Sequence, residues 1–212
     1  MGGSSLGPEV LRRTFGSAPG YTELIVLDST APAWVQSVAD AIDLARTLFV
    51  VSSKSGSTIE LTSFYAHFRG LLEVAVGEGQ AGQHFVAITD PGTALEKLAA
   101  AANFRRALLN PPDIGGRYSV LSYFGLVPAA LIGMELSKLL DQADRMRIRC
   151  GPDVSGQDNP GSWLGAVMAA GVRQGRDKLT LVISPSIASF GLWAEQLLAE
   201  STGKEGTGIV PI

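Results

Sequence analysis

The sequence predicts an α/β fold: a sandwich built on a parallel sheet of at least four strands, then a partial second α/β unit after about residue 160. Two observations carry this. Continuous apolar runs at 24–27, 48–51, 84–89 and 106–109 alternate with helix-length stretches whose apolar residues recur every three or four positions. Strands without polar alternation suit a parallel sheet covered on both faces. At 212 residues, 46% hydrophobic and 17% charged, the chain is long and apolar enough for a full core, and disorder is excluded.

Taken in order, the first strand is Leu24–Leu27, closed by Asp28, Ser29 and Thr30. Pro32–Arg46 reads as a helix, its proline suited to the first turn, with Val35, Val38, Ala41, Ile42 and Ala45 as its apolar residues. The strand Leu48–Val51 leads to a helix from Ser57 to about Val76. His84–Thr89 is the third strand, ended by Asp90-Pro91-Gly92. A helix over Ala94–Ala102 precedes the short strand Arg106–Leu109. Ser119 to about Leu140 reads as mostly helical and apolar.

Gly151–Gly161 carries three glycines and two prolines and is the best internal boundary. Beyond it come a helix from Ser162 to about Val172, a strand Lys178–Ile183, a helix from Ser189 to about Ser201 and a strand entering at Gly208–Ile212. The expected organisation is a first domain over 1–150, a linker over 151–161, and the opening of a second domain over 162–212. A domain that stops as a strand enters reads as truncated.

Seventeen Lys and Arg against twenty Asp and Glu give a net charge of −3, which argues against a nucleic-acid partner. No apolar run reaches ~18 residues, so no membrane span is expected. No basic leader precedes an apolar core, so no secretory signal is expected. The lone Cys150 fits a reducing, cytoplasmic compartment. Two histidines and one cysteine leave almost no room for a His/Cys zinc site.

Four segments carry chemistry. Ser52-Ser53-Lys54-Ser55-Gly56-Ser57-Thr58 lies between a buried strand and a helix. Five hydroxyls, a lysine and a glycine beside fresh helix amides favour an anion cradle over a plain cap, which needs one hydroxyl. Ser57-Thr58-Ile59-Glu60 also fits a capping box. Gly2-Gly3-Ser4-Ser5-Leu6-Gly7-Pro8 offers small residues for close backbone approach, with Pro8 suited to the first helical turn. In Gly115-Gly116-Arg117-Tyr118-Ser119, Arg117 is a lone cation between flexible glycines and an apolar helix. An anionic ligand and a structural salt bridge are even readings of it. In the helix ended by Gly203, Gln196 and Glu200 share a face. A carboxylate at the negative end of a helix suits a proton acceptor, although a solvated helix-end Glu is the simpler reading.

Other signals lead nowhere. Gly77-Glu78-Gly79-Gln80-Ala81-Gly82 spells G-x-G-x-x-G but follows a helix and precedes a strand, the reverse of the dinucleotide order, so it reads as a loop. His67 and His84 lack a Ser or Cys partner at motif spacing. Arg145, Arg147 and Arg149 read as a solvated edge.

Together the four segments resemble glucose-6-phosphate isomerases, built from two sugar-isomerase (SIS) domains. Gly2-Gly3-Ser4 with Leu6-Gly7-Pro8 matches the first glycine loop, and Ser53-Lys54-Ser55 with Thr58 the phosphate loop. Gly115-Gly116-Arg117-Tyr118-Ser119-Val120-Leu121-Ser122 matches a family signature, and Phe190–Lys204 the segment with the catalytic glutamate. Residues 124–131 and 200–206 look closest to the isomerase half of bacterial transaldolase/isomerase fusions, although no transaldolase barrel is present. The resemblance implies a SIS-type three-layer sandwich followed by the start of a second SIS-like unit. It implies interconversion of glucose 6-phosphate and fructose 6-phosphate through a cis-enediolate, without metal or cofactor, in a homodimer. Ser4, Ser53, Ser55 and Thr58 would hold the sugar phosphate, helped by the amides of Lys54 and Ser55. Arg117, beside Gly116, would stabilise the enediolate, Gln196 would line the sugar site, and Glu200 would move the proton.

Three departures are visible. The family's apolar strand before the first glycine loop is absent. Its ring-opening histidine, carried beyond the glutamate on a loop of the partner subunit, matches neither His67 nor His84. A C-terminal lysine near the sugar is missing. The chain therefore reads as an internal piece of an isomerase. The alternative is a non-catalytic sugar-phosphate-binding module, for which Glu200 would have no use.

Overall fold

The structure, a computed structural model, describes residues 3–212. It forms two compact units: one comprises residues up to Glu9 with Leu24–Pro128, the other Val10–Glu23 with Ala129–Ile212. The helix α1 (Gly3–Phe15) opens the chain. Pro8 lies inside α1 and not in its first turn. Its missing N–H removes the intrahelical bond that would run to the Ser4 carbonyl.

In the first unit, β1 (Phe49–Ser52), β2 (Phe85–Thr89) and β3 (Arg106–Leu109) form a parallel sheet in that order. Phe49 pairs with Phe85, and Val86 with Arg106. Every residue of the central β2 is buried, which is why its sequence shows no alternation. The helices α2 (Pro32–Ala41), α3 (Ile59–Val76) and α5 (Ala94–Ala101) accompany the sheet, with a short α4 (Glu78–Ala81) after α3. Val38, Phe68, Leu72, Leu95 and Ala99 from these helices pack with Val51, Phe85, Ala87 and Phe104 in one core. Phe85 is its hub. Its ring stacks on Phe49 at 5.3 Å and Phe104 at 5.2 Å, and meets Tyr65 edge-on at 5.1 Å. Burial in this cluster raises the Tyr65 hydroxyl above the ordinary tyrosine pKa, with Arg69 partly opposing.

Several expectations need correction. Among the described residues the sheet of at least four strands is a sheet of three, with a separate pair in the second unit. Leu24–Leu27 pairs with no strand among the described residues. Leu27 packs on the core instead, while Ile25 is 41% exposed, so the apolar run marks a packing contact and not a paired strand. The helix from Pro32 ends at Ala41, and Asp43 starts a separate 3₁₀ turn by accepting from the Ala45 amide at 3.1 Å. The apolar stretch from Ser119 is three pieces: a 3₁₀ turn Gly116–Leu121, α6 (Tyr123–Leu131) and α7 (Leu136–Arg149). Ser119 and Ser122 turn their hydroxyls onto carbonyls three residues back, both at 2.7 Å, and Gly133 adopts φ +83° between the helices. The 77–82 segment is not a loop. Gly77, at φ +85°, ends α3, and α4 and a 3₁₀ turn follow.

The second unit carries α7, α8 (Pro160–Arg173), α9 (Phe190–Thr202) and two short parallel strands, β4 (Lys178–Leu179) and β5 (Val210–Pro211). Asn159 caps α8 by accepting from the Ser162 amide at 3.0 Å, with Pro160 in the first turn. The strand expected over 178–183 pairs only at its first two residues, and Val182 is 98% exposed. Among the described residues, no helix is long and apolar enough to cross a membrane.

Candidate functional site

The C-terminal ends of parallel strands are where open α/β sheets gather ligand-binding loops. After β1, the Ser53 amide donates to the Ile88 carbonyl at 3.0 Å. The buried Ser53 hydroxyl accepts from the Gly56 amide at 3.1 Å and lies 3.1 Å from Thr58 Oγ1. Ser55 accepts from the Ser57 amide at 3.4 Å and from its hydroxyl at 3.3 Å. Ser55, Ser57 and Thr58 are exposed. The expected capping box does not form. Thr58, not Ser57, is the N-cap of α3, and its hydroxyl turns to Ser53 without bonding a first-turn amide. Exposed hydroxyls therefore stand at a helix N-terminus that its own N-cap side chain leaves uncapped, an arrangement suited to an anion.

Gly56 makes this loop possible. It adopts φ +66°, and a Cβ there would lie 2.8 Å from Thr93 Cβ and 2.9 Å from the Leu95 amide nitrogen. Gly56→Ala is expected to cost about 1–3 kcal/mol, from left-handed strain and overpacking. Chemical denaturation showing parent stability would refute this.

Lys54 does not point a free ammonium outward. It is ion-paired with Asp90 and donates to the Pro112 carbonyl at 2.8 Å. The segment after Pro112 enters the 3₁₀ turn carrying Gly116 and Arg117. Gly115 has φ −65°, so the flexibility expected of the flanking glycine is not used there. Arg117 is half-buried, with its guanidinium carbon 5.5 Å from the Tyr118 ring centre. Ser4 lies one turn from Gly7 on α1. A Cβ at Gly7 would be 3.1 Å from Val120 Cγ2, so the small residue brings that helix close to the Arg117 turn. Gly2, the other glycine of that motif, lies outside the described residues.

Gln196 and Glu200 belong to the second unit, four residues apart on α9. Glu200 is exposed near the helix end, and its backbone carbonyl accepts from Lys204 Nζ at 2.7 Å. Gln196 Oε1 is buried without a hydrogen-bond partner among the described residues. Thr202 Oγ1 accepts from the Ile209 amide at 2.9 Å and so holds the turn after α9.

The first unit thus gathers Ser4, Ser53, Lys54, Ser55, Thr58, Gly116 and Arg117, while Gln196 and Glu200 stand in the second. His84 Nδ1 bonds the Thr47 carbonyl at 2.9 Å, and the His67 ring lies edge-on to Phe68. Among the described residues, no three His, Cys, Asp or Glu side chains cluster as a metal site.

Sequence reasoning missed Asp90, Thr93 and Asn110. Asp90 anchors Lys54, and Thr93 caps α5 by accepting from the Glu96 amide at 3.2 Å. The buried Asn110 accepts from the Tyr123 amide at 3.2 Å. The available signal was position: Asp90 and Asn110 are the first residues after β2 and β3.

The phosphoglucose isomerase family model matches residues 1–207. A glucose-6-phosphate isomerase of Rubrobacter xylanophilus is 34% identical over 224 residues, covering 100% of this chain and 50% of that protein. One from Staphylococcus saprophyticus is 31% identical, covering 100% of this chain and 49% of that protein. The crystal structure of a hypothetical protein from Thermus thermophilus superposes with a TM-score of 0.90 at 28% identity, covering 100% of this chain and 51% of its own. A glucose-6-phosphate isomerase structure from Chlamydia trachomatis gives 0.83 at 27%, covering 99% and 41%. The chain spans about half the length of the curated relatives it matches.

Proposed function

The chain belongs to the phosphoglucose isomerase family, and on that premise we propose that it carries the phosphate cradle and the proton-transfer base of an enzyme interconverting glucose 6-phosphate and fructose 6-phosphate. The observation that carries the reading is the set of exposed hydroxyls at the uncapped start of α3. A phosphate there accepts from Ser55 and Thr58, from the Lys54 and Ser55 amides and from the first turn of α3, with Ser53 shaping the loop from beneath and Ser4 contributing from α1. Gln196 lines the sugar.

Glu200 takes the proton from C2 of the open-chain aldose and returns it to C1. A proton moves from O2 to O1 over the same sequence, so the ketose forms with no net change in atoms or electrons. Arg117, beside Gly116, offsets the charge of the cis-enediolate between the two steps. Assembly as a homodimer and the division into a SIS domain, a linker over 151–161 and the opening of a second SIS domain belong to the same proposal. Ring opening falls to neither His67 nor His84, so residues 1–212 alone turn substrate over poorly.

The test is Ser55→Ala with Thr58→Ala. Two charge-assisted hydrogen bonds are lost, so calorimetric affinity for glucose 6-phosphate falls by at least about 10-fold. Parent affinity in the double variant sinks the cradle.

A further inference from the structure

Lys54 joins the ends of all three strands of the first unit. It lies two residues past β1. Its ammonium is ion-paired with Asp90, the first residue after β2, and donates to the carbonyl of Pro112, three residues past β3. Backbone bonds repeat the join: Asp90 N donates to the Lys54 carbonyl at 3.4 Å, and Asn110 N to the Thr89 carbonyl at 2.8 Å. The Asp90 side chain is 13% exposed, and its Oδ1 is buried without a hydrogen-bond partner among the described residues. The Lys54 contact at Oδ2 is therefore what offsets its charge. With its charge offset by the carboxylate and two of its three N–H groups engaged, the ammonium has one donor left for a phosphate dianion. It also has a fixed position between the hydroxyl loop and the segment leading to Arg117.

We propose that Asp90 is a positioning residue for phosphate recognition: through Lys54 it latches loop 53–58 against segment 110–117, and the Lys54 ammonium acts as that latch and not as a phosphate ligand. The proposal rests on the sugar-phosphate reading above and adds a residue to it. Because the cradle is made of neutral hydroxyls and amides, its affinity depends on their being held in place before the ligand arrives.

Asp90→Asn tests this without changing shape, and the 36% exposed Lys54 side chain then turns to water. Lys54→Met alone leaves a buried uncompensated carboxylate and risks misfolding, so the second variant is Asp90→Asn with Lys54→Met. Calorimetry with glucose 6-phosphate and with inorganic phosphate is read beside amide hydrogen exchange. Asp90→Asn is expected to weaken both ligands by about 10-fold or more. It should speed exchange in 53–58 and 110–117 and leave β2 unchanged, and the double variant should bind as weakly as Asp90→Asn. A lysine that binds phosphate directly would be freed by Asp90→Asn, so tighter phosphate binding overturns the latch. Parent affinity in Asp90→Asn or in its double overturns it as well, and the cradle reading survives if Ser55→Ala/Thr58→Ala has lost affinity. If Ser55→Ala/Thr58→Ala binds normally, the cradle reading falls. The latch is then judged by exchange alone, and unchanged exchange in 53–58 overturns it.

Discussion

Glu200→Gln is expected to bind fructose 6-phosphate as the parent does and to isomerise it about 10²–10⁴-fold more slowly, the usual loss when a positioned general base is removed. Glutamine has the shape of glutamate and can hydrogen-bond, but it cannot take a proton from carbon. Glu200 is exposed near the end of α9, so an isosteric change there disturbs no packed interior. Its backbone carbonyl keeps the bond from Lys204. A loss of rate with unchanged affinity would thus report chemistry and not folding. The assay belongs on a protein spanning the full length of the relatives, because this chain covers about half of them. Solvent-deuterium exchange at C1 of fructose 6-phosphate, or at C2 of glucose 6-phosphate, reads the base directly, provided some open-chain sugar binds. Isomerisation at the parent rate with Gln at position 200 would remove Glu200 from the mechanism. Full activity from residues 1–212 would refute the expectation that ring opening needs a group beyond them.

Phe85→Ala should destabilise the first unit by about 3–5 kcal/mol, the range for truncating a buried aromatic. The side chain is fully buried, and three rings lie 5.1–5.3 Å away. Phe49 is its cross-strand partner, Tyr65 comes from α3, and Phe104 precedes β3. Truncation leaves a hole that rings from separate elements cannot close together. The change should lower the melting temperature by about 6–20 °C for a chain of this size. Val74→Ala is the control: the residue is 90% exposed and should stay within about 0.5 kcal/mol. A Phe85→Ala variant within about 1 kcal/mol of its parent would mean the aromatic hub is not the core's centre.

Of the three strands that pair in the first unit, only the central β2 is buried throughout; β1 is partly buried and β3 is mostly exposed. Phe85–Thr89 was legible because a central parallel strand has no wet face and so no polar residue to interrupt it. Leu24–Leu27 has the same look but no ladder among the described residues: Leu27 packs on the core and Ile25 faces outward, and neither contact needs a hydrogen-bonded neighbour. The break at Gly133 was hidden for a related reason: apolar periodicity continues across it, while the left-handed backbone there follows from packing. The 2.5–2.8 Å approach that a Cβ would make to Ala18 and Tyr21 comes from residues more than a hundred positions away.

Residue chemistry and local order were readable along the chain. They include the hydroxyl run at 52–58, the Gly-Gly-Arg segment, the four-residue spacing of Gln196 and Glu200, and the βαβ alternation that places the first two at or beyond strand ends. These depend on near neighbours, and near neighbours are written in order. Three-dimensional packing decided the rest: that Ser53 turns inward while Ser55 and Thr58 stay exposed, that Thr58 leaves the helix uncapped, and that Lys54 is taken up by Asp90 and Pro112. Asp90 lies 36 residues from Lys54 and Pro112 lies 58 away. Only parallel pairing, which aligns the ends of β1, β2 and β3, brings such distant residues within reach of one ammonium.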